Sequence, residues 1–218
     1  MPALVIACDF DGTITERDTL NLLVREFGDG AVWDAMEPDV RAGRTSVEHA
    51  MQAEFATVRV SEADAVRWVR EHAGIRAGFT ECVAWARAHG HGFVVLSNGF
   101  GVLIRDVLGG LGLGDLPVHS HECAFTPEGS AIAWTERGEP CPLCSRPCKR
   151  HDLARVRGDA RVVYVGDGIS DLCVAQAADI IYARADLADY LKSRGVPFRP
   201  FRDFHQIVTD LSPPTDAA

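Results

Sequence analysis

The apolar residues of the chain form short continuous runs that alternate with stretches of helical periodicity. The first run covers residues 3–8, and two later runs cover residues 93–96 and 161–165. Continuous apolar runs of this length are typical of strands that are buried on both faces of a parallel sheet. Because helical stretches separate the runs, the pattern predicts an α/β fold with a Rossmann-like parallel sheet at its core.

The pattern between the first two runs is helical, and no strand is predicted from residue 18 to residue 72. Helix starts with capping side chains are predicted at Asp18, at Thr45 with Glu48, and at Ser61 with Asp64. Such oxygen-bearing side chains satisfy the free amides of a first helical turn. We therefore predict a small α-helical cap domain at residues 15–74, inserted into a catalytic α/β core formed by residues 1–14 and 75–218.

The second half of the chain continues the alternation of strands and helices. Helices are predicted at residues 79–89, from residue 170 and at 186–194, a loop at 97–99, a β-hairpin at 119–134, and a strand at 179–182. The hairpin is predicted from the turn-forming sequence Pro127-Glu128-Gly129. This order is that of a sheet whose functional site lies at the carboxyl ends of its strands.

Two pairs of aspartates follow two of the predicted strands. Asp9 and Asp11 come directly after the first run, and Asp167 and Asp171 follow the run at residues 161–165. Because the carboxyl ends of parallel strands meet at one edge, these side chains are expected to converge. Crowded carboxylates need protons or a hard cation, and Mg²⁺ suits such oxygen ligands. Each aspartate alone could be a turn former or a helix cap, but the four together favour a magnesium site.

Two further features suit a bound phosphate. Ser97 follows the predicted strand at residues 93–96, and the amides of Asn98 and Gly99 at a helix start can donate to a phosphate oxygen. Lys149 could neutralise charge that develops on a transferring phosphoryl group. Taken singly, these residues would be a common turn and a surface lysine.

The order of these residues along the chain resembles the haloacid dehalogenase superfamily. The matching elements are Asp9-Phe10-Asp11-Gly12-Thr13, then Ser97, then Lys149, then Gly166-Asp167-Gly168 with Asp171. The match extends over essentially the whole chain. It implies a phosphatase, a phosphoric monoester hydrolase that uses an aspartyl-phosphate intermediate.

The resemblance also implies a role for each residue. Asp9 would attack phosphorus, and Asp11 would protonate the leaving oxygen and then activate water. The implied magnesium ligands are Asp9, Asp167 and the backbone carbonyl of Asp11, with Asp171 in support, and Ser97 and Lys149 would hold the phosphoryl group.

The helical segment at residues 15–74 resembles the cap of the phosphoserine phosphatase-like branch. Asp18 stands where that branch has an acid facing the substrate, although it could equally be a helix cap. The arginine that binds a substrate carboxylate in phosphoserine phosphatases has no clear counterpart. Gln52 occupies about that position, and Arg41 and Arg44 lie near it in sequence.

The second half resembles the methionine-salvage phosphatase family, which acts on 2-hydroxy-3-keto-5-methylthiopentenyl-1-phosphate. The similar segments are Ile132-Ala133-Trp134, Cys148-Lys149 after a cysteine-rich loop, Ala183-Arg184 and Phe201-Arg202-Asp203-Phe204. The turn Ser97-Asn98-Gly99 differs from the Ser-Gly-Gly of that family. Phosphoserine, phosphoethanolamine, phosphocholine or another small metabolite phosphate therefore stay alternatives for the substrate.

The cysteines suggest a second metal site. Cys141, Cys144 and Cys148 have a metal-like spacing, with Cys123, His121, His119 or His151 as a possible fourth ligand. Zn²⁺ there would pin the loop that precedes Lys149. Three free thiols are the alternative. Cys8, Cys82 and Cys173 are predicted to be isolated core residues.

Composition narrows the class of protein. Of the 218 residues, 47% are hydrophobic and 24% charged, with a net charge of -9 and no basic patch, so nucleic acid is not an expected partner. No apolar run approaches the ~20 residues of a membrane span, so no membrane association is expected. The first residues look like a buried strand rather than a signal peptide, and the seven cysteines then indicate a reducing compartment, the cytoplasm.

Two other classes of function stay open. A phosphotransferase or mutase would use the same aspartates but pass the phosphoryl group to a second hydroxyl. A binding module without catalysis is a further alternative, against which the complete set of candidate residues argues. The expected partner is a small phosphorylated metabolite, and both a monomer and a homodimer are compatible with the sequence.

Overall fold

A computed structural model of the protein describes residues 4–212. Seven strands form one sheet in the order β4-β3-β2-β1-β5-β6-β7. The strands are β1 (Leu4–Cys8), β2 (Gly92–Phe100), β3 (Val118–Ala124), β4 (Ala131–Ala133), β5 (Arg161–Gly166), β6 (Ile180–Ala183) and β7 (Arg199–Pro200). Neighbouring strands are parallel except β3 and β4, which form the predicted hairpin. The predicted α/β fold with a mostly parallel sheet is confirmed.

Ten helices surround this sheet within the described residues. They are α1 (Thr19–Phe27), α2 (Ala31–Arg41), α3 (Val47–Phe55), α4 (Glu62–His72), α5 (Phe79–Ala88), α6 (Gly101–Gly110), α7 (Lys149–Val156), α8 (Leu172–Ala175), α9 (Ala185–Ser193) and α10 (Phe204–Leu211). None of them is both long and apolar enough to cross a bilayer.

The central strand β1 is buried on both faces, as its apolar run predicts. Ile6 and Cys8 belong to one hydrophobic cluster, and Ala7 belongs to a second. The first cluster includes Phe79 of α5, and the second includes Leu187 of α9. Since side chains alternate along a strand, β1 contributes to helix-covered layers on both sides of the sheet.

The chain leaves the sheet after β1 and returns beside the same point. Thr15 and Ile75 form an isolated antiparallel bridge, and the amide of Glu16 donates to the carbonyl of Gly74 at 3.2 Å. The helices α1–α4 lie between these points. Their side chains share the first cluster with the sheet, and the rings of Phe55 and Phe100 are 4.3 Å apart.

Three local predictions differ from the structure. Ser46 rather than Thr45 caps α3, because its backbone is extended and its hydroxyl accepts from the amide of His49. The segment 97–99 is part of β2 rather than a separate loop, although the pairing with β3 is irregular there. The helix predicted from Ser170 begins with a 3₁₀ turn, Ile169–Asp171, before α8. Residue 3 of the predicted first run lies outside the described residues.

Candidate active site

The carboxyl ends of β1, β2 and β5 open into a cavity of about 340 Å³. Asp9 follows β1, Ser97 lies in β2 and Asp167 follows β5, which explains why residues far apart in sequence meet there. The candidate residues that line it are Asp9, Asp11, Asp18, Ser97, Asn98, Gly99, Lys149 and Asp167. Asp171 lies beneath this surface and is fully buried.

Lys149 joins two of the aspartates. Its Nζ lies 2.5 Å from Asp9 Oδ1 and 2.8 Å from Asp171 Oδ1, and its side chain is 1% exposed. Burial opposes the charged form, but the carboxylates of Asp171 and Asp9 outweigh it and raise the pKa of Lys149 above its ordinary value. The lysine predicted as a phosphate ligand is therefore a buried cation of the acidic centre.

Three carboxylates meet at a point where, among residues 4–212, Lys149 is the cation paired with them. Oxygens of Asp9, Asp167 and Asp171 lie within 4.8 Å of one another. Burial and the charge of Asp171 raise the pKa of Asp167 to about 6, and the same causes raise the pKa of Asp9. Because oxygen ligands and excess negative charge are what Mg²⁺ requires, the centre fits a bound magnesium ion.

Asp171 supports this centre from below. Its Oδ2 accepts from the amides of Asp167 and Gly168, each at 3.1 Å. Its Oδ1 accepts from Lys149 and from the hydroxyl of Tyr164 at 2.6 Å. With both oxygens engaged, Asp171 is placed to orient the loop that presents Asp167 rather than to contact a substrate.

Asp11 lines the same cavity but is not one of the three grouped carboxylates. Its Oδ1 accepts from the amide of Thr19 at 2.9 Å and from its hydroxyl at 2.6 Å. Ser97 Oγ lies 3.4 Å from its Oδ2. Burial raises the pKa of Asp11, although the hydrogen bonds from Thr19 lower it in part. The helix start of α1 thus holds this carboxylate at the cavity wall.

Two glycines allow the close approach of these acids. Gly12 has a φ of +76°, and a Cβ there would clash with the carboxylate of Asp167. A Cβ on Gly99 would clash with the carboxylate of Asp11. The glycines in the two motifs are therefore required by the packing of catalytic candidates against backbone.

Ser97 is fully buried, and its Oγ accepts from the amide of Gly99 at 2.8 Å. Asn98 turns its side chain to Arg137, whose Nη1 donates to its Oδ1 at 2.6 Å. Arg137 also donates to the carbonyl of Ser97 at 2.7 Å and pairs with the buried Asp152. Sequence reasoning missed Arg137, since a single arginine in an irregular loop has no spacing that identifies it.

Two more arginines, to which the sequence assigned no role in the site, bind the loop after β1 that carries Asp9 and Asp11. Arg76 Nη2 and Arg184 Nη1 donate to the carbonyl of Gly12 at 2.7 and 3.0 Å. Arg76 Nε donates to the carbonyl of Thr13 at 2.7 Å. These three hydrogen bonds join parts of the chain that are far apart in sequence, so no local pattern predicts them.

The helices α1–α3 form the opposite wall of the cavity. Asp18 caps α1 by accepting from the amide of Asn21 at 2.8 Å, and it also lines the cavity, so both roles considered for it are sterically available. Partial desolvation at the cavity wall, followed by the charge of Asp11, raises the pKa of Asp18 above its ordinary value, although the residue is exposed. From α3, Met51 and Glu54 line the cavity, whereas Gln52 is exposed.

The arginines near the predicted carboxylate-binding position are already paired. Arg41 lines the cavity but lies 2.8 Å from Glu37 and 3.2 Å from Asp186. Arg44 pairs with Asp39 and is not among the lining residues. Neither arginine is therefore placed as a free partner for a substrate carboxylate.

Glu54→Gln is expected to stabilise the protein at about pH 8 by on the order of 2 kcal/mol. Glu54 is 4% exposed, and burial followed by the charge of Asp34 raises its pKa from 4.5 to about 7. The folded state binds the proton more tightly, so wild-type stability falls as the pH rises from 4.5 to 7. Urea unfolding of both proteins at about pH 8 and pH 5 measures the difference.

The difference should nearly vanish at the lower pH, where Glu54 is protonated in the folded protein. Glu26→Gln, which removes an exposed carboxylate, is the matched control and should have little effect at either pH. Equal stability of Glu54→Gln and wild type at the higher pH would contradict the raised pKa.

The cysteine cluster differs from its prediction in one ligand. Sulfur atoms of Cys141, Cys144, Cys148 and Cys173 lie within 4.8 Å of one another. The proposed fourth ligands Cys123, His121, His119 and His151 are not part of this group, and Cys173 is not the isolated core residue predicted. It was missed because it follows Asp171 in α8, far from the loop in sequence. Hydrogen bonding from Cys173 lowers the pKa of Cys148 to about 5.

The mostly parallel sheet with acids at the carboxyl ends of its strands defines an α/β protein with an acidic centre that can hold a metal ion. The model of the haloacid dehalogenase-like hydrolase family matches residues 6–176, and the chain belongs to that family. It is a phosphatase, as are the relatives that it resembles. Phosphatases of this family generally use Mg²⁺.

The chain is similar to two bacterial proteins named 2-hydroxy-3-keto-5-methylthiopentenyl-1-phosphate phosphatase. The protein of Brevibacillus brevis is 31% identical over 215 residues, and that of Geobacillus kaustophilus is 31% identical over 214 residues. Each alignment covers 95% of this chain and 95% of the relative. The similarity therefore includes the helices α1–α4 as well as the sheet.

Solved structures of phosphoserine phosphatase share the fold. A phospho-aspartyl intermediate analogue has a TM-score of 0.73 at 19% identity, covering 97% of this chain and 100% of that one. A substrate-bound complex has a TM-score of 0.72 at 17% identity with the same coverage.

Proposed function

We propose that the protein is a magnesium-dependent phosphomonoesterase in which Asp9 forms an aspartyl-phosphate with a small organic phosphate ester. The observation that carries the proposal is the position of Asp9. Its carboxylate lines the cavity and is held by Lys149, beside a second carboxylate, Asp11, that is not part of the cation-binding group. Such a pair supports covalent catalysis together with proton transfer.

In the first step, an oxygen of Asp9 bonds to phosphorus as the bond from phosphorus to the ester oxygen breaks. Asp11 gives its proton to the departing oxygen, so that a neutral alcohol leaves. In the second step, Asp11 takes a proton from water, and the hydroxide oxygen bonds to phosphorus as the bond to Asp9 breaks. Lys149 and the backbone around Ser97 face the charge that develops on the phosphoryl oxygens.

The carboxylates of Asp9 and Asp167 and the backbone carbonyl of Asp11 would hold Mg²⁺, with Asp171 in support. The ion, when bound, neutralises charge on the phosphoryl group and the carboxylates. The crowding of the acids and the raised pKa of Asp167 support this assignment.

We also assign residues 15–74 as a cap over a core of residues 1–14 and 75–218, of which 1–3 and 213–218 lie outside the described part. Two observations support this division. The two ends of the segment lie together, since Thr15 and Ile75 form a bridge, and residues of α1–α3 line the cavity. A cap of this kind excludes water from the phosphoryl group and selects the ester.

The substrate proposed first is 2-hydroxy-3-keto-5-methylthiopentenyl-1-phosphate, for which the relatives are named. The cap side of the cavity includes the apolar side chains of Trp33, Val40 and Met51, which suit a methylthio group. Phosphoserine is less favoured because Arg41, the arginine in the lining, is already paired. Phosphoethanolamine or phosphocholine is the second candidate, since Asp18 and Glu54 offer carboxylates to a cation.

Phosphate release from a panel of these esters, with Mg²⁺ or with EDTA, tests the proposal. Metal-dependent release from the enol phosphate, faster than from the amine-bearing esters, is the expected result. Transfer to an added alcohol without phosphate release would indicate a phosphotransferase. No turnover of any ester, including an aryl phosphate, would favour a binding module without catalysis.

Asp11→Asn is expected to lower kcat/KM, which reports the first step, by roughly 10²–10⁴-fold for alkyl phosphates and much less for an aryl phosphate. An alkoxide needs a proton to leave, whereas a nitrophenolate does not, so only the first step for alkyl esters depends on acid catalysis. Steady-state and burst kinetics with both esters measure the difference. A control, Asp29→Asn, removes an exposed aspartate in the segment after α1. Equal losses of kcat/KM for both esters would contradict the role of Asp11 as the acid, whereas a shared loss in kcat reports its role as the base of the second step.

The proposal also includes a structural zinc ion and a cytoplasmic location. The four converging sulfurs support a structural Zn²⁺ in the cysteine-rich loop, outside the phosphate cavity. None of the seven cysteines, all of which lie in the described residues, forms a disulfide bond, which is compatible with a cytoplasmic protein.

A further inference from the structure

The cysteine cluster joins the two chain segments that carry Lys149 and Asp171. Cys141, Cys144 and Cys148 belong to the loop before α7, and Cys148 is the residue that caps α7 immediately before Lys149. Cys173 lies in α8, two residues after Asp171. A cross-link between the two segments would therefore lie within two residues, in sequence, of both members of the ion pair of Lys149 and Asp171.

The local geometry of the loop resembles that of a bound metal rather than of free thiols. The amide of Leu143 donates to Cys141 Sγ at 3.4 Å, and the amide of Ser145 donates to the carbonyl of Cys141 at 2.8 Å. Ser145 has a positive φ of 58°, a strained conformation for a residue with a side chain. Leu143 is 53% exposed and contributes little apolar packing to this turn, whereas the sulfur-bearing Cys141 is buried.

We infer that Cys141, Cys144, Cys148 and Cys173 bind one Zn²⁺ ion, which positions Lys149 against Asp171. Four thiolates at mutual distances within 4.8 Å suit a tetrahedral zinc site with no open coordination position. The zinc is then a cross-link between α7 and α8. Its effect on catalysis rests on the proposed phosphatase function, whereas its binding does not.

Metal analysis of the purified full-length protein tests the binding directly. About one zinc per chain is expected in the wild type, and a small fraction of that in Cys173→Ser. Cys123→Ser is the matched control, because Cys123 is a half-buried cysteine outside the cluster, and it should retain zinc. Absence of zinc from the wild type after growth with added Zn²⁺, or full zinc in Cys173→Ser, would overturn the site, and iron in its place would overturn the identity of the metal.

Kinetics with an aryl phosphate test the positioning role. Cys173→Ser is expected to lower kcat about tenfold or more while changing KM little, since residues that support a site typically contribute such factors. The same substitution in a Lys149→Met background should cause no further loss, because the residue to be positioned is gone. An equal additional loss in that background would show a general effect on folding and overturn the positioning role. If no variant has activity, the zinc measurement still decides the site.

Discussion

Asp9→Asn is expected to lower kcat/KM for phosphate esters by at least about 10⁴-fold, because the amide oxygen is a poor nucleophile and covalent catalysis is lost. The substitution keeps the size of the side chain, and Lys149 retains Asp171 as a partner. The protein should therefore stay folded while turnover disappears. Phosphate release in saturating Mg²⁺, together with detection of the phosphorylated protein, measures both consequences.

Asp159→Asn is the matched control, since it makes the same chemical change at an exposed aspartate before β5. Its activity should equal that of the wild type. Turnover of Asp9→Asn within tenfold of the wild type, or a phosphorylated protein that still forms, would contradict the assignment of Asp9 as the nucleophile.

The parallel core and most of the aspartates of the site were predictable for a simple physical reason. Strands buried on both faces need continuous apolar runs, and the loops after parallel strands reach one edge of the sheet. Asp9 and Asp167 could be placed together from these two facts alone. The structure adds that Asp171 accepts hydrogen bonds from Tyr164 and from the amide of Asp167. It also shows that Asp11 accepts a hydrogen bond from the amide of Thr19.

Contacts between isolated residues could not be predicted. Arg137 holds Asn98, and Cys173 completes the sulfur cluster, yet neither has a neighbour in sequence that marks its role. Glu54 faces the cavity because of the rotation of α3, and a shift of two positions would replace it with Gln52, which is exposed. Periodicity predicts that a helix exists but not its rotation to this accuracy.

The fully buried Lys149 is expected to contribute to the stability of the fold as well as to catalysis. Its raised pKa means that it stays charged throughout the neutral range, and its contribution is lost only in alkaline solution above about pH 10. Without Lys149, the carboxylates of Asp9 and Asp171 would be buried beside each other. Among the described residues, no other ion pair with either carboxylate is present. A buried carboxylate left without a partner is costly.

Lys149→Met is therefore expected to lower the free energy of unfolding by about 3–5 kcal/mol at neutral pH and to lower kcat by roughly 10²–10³-fold. The stability deficit should shrink as the pH falls, because burial and the charge of Asp171 raise the pKa of Asp9, and protonation of Asp9 removes its repulsion with Asp171. Urea unfolding at about pH 7.5 and pH 5, in EDTA, measures this dependence. Lys192→Met, at an exposed position in α9, is the matched control. A deficit below about 1 kcal/mol, or one that grows in acid, would contradict the role of Lys149 as the counter-charge of the acidic centre.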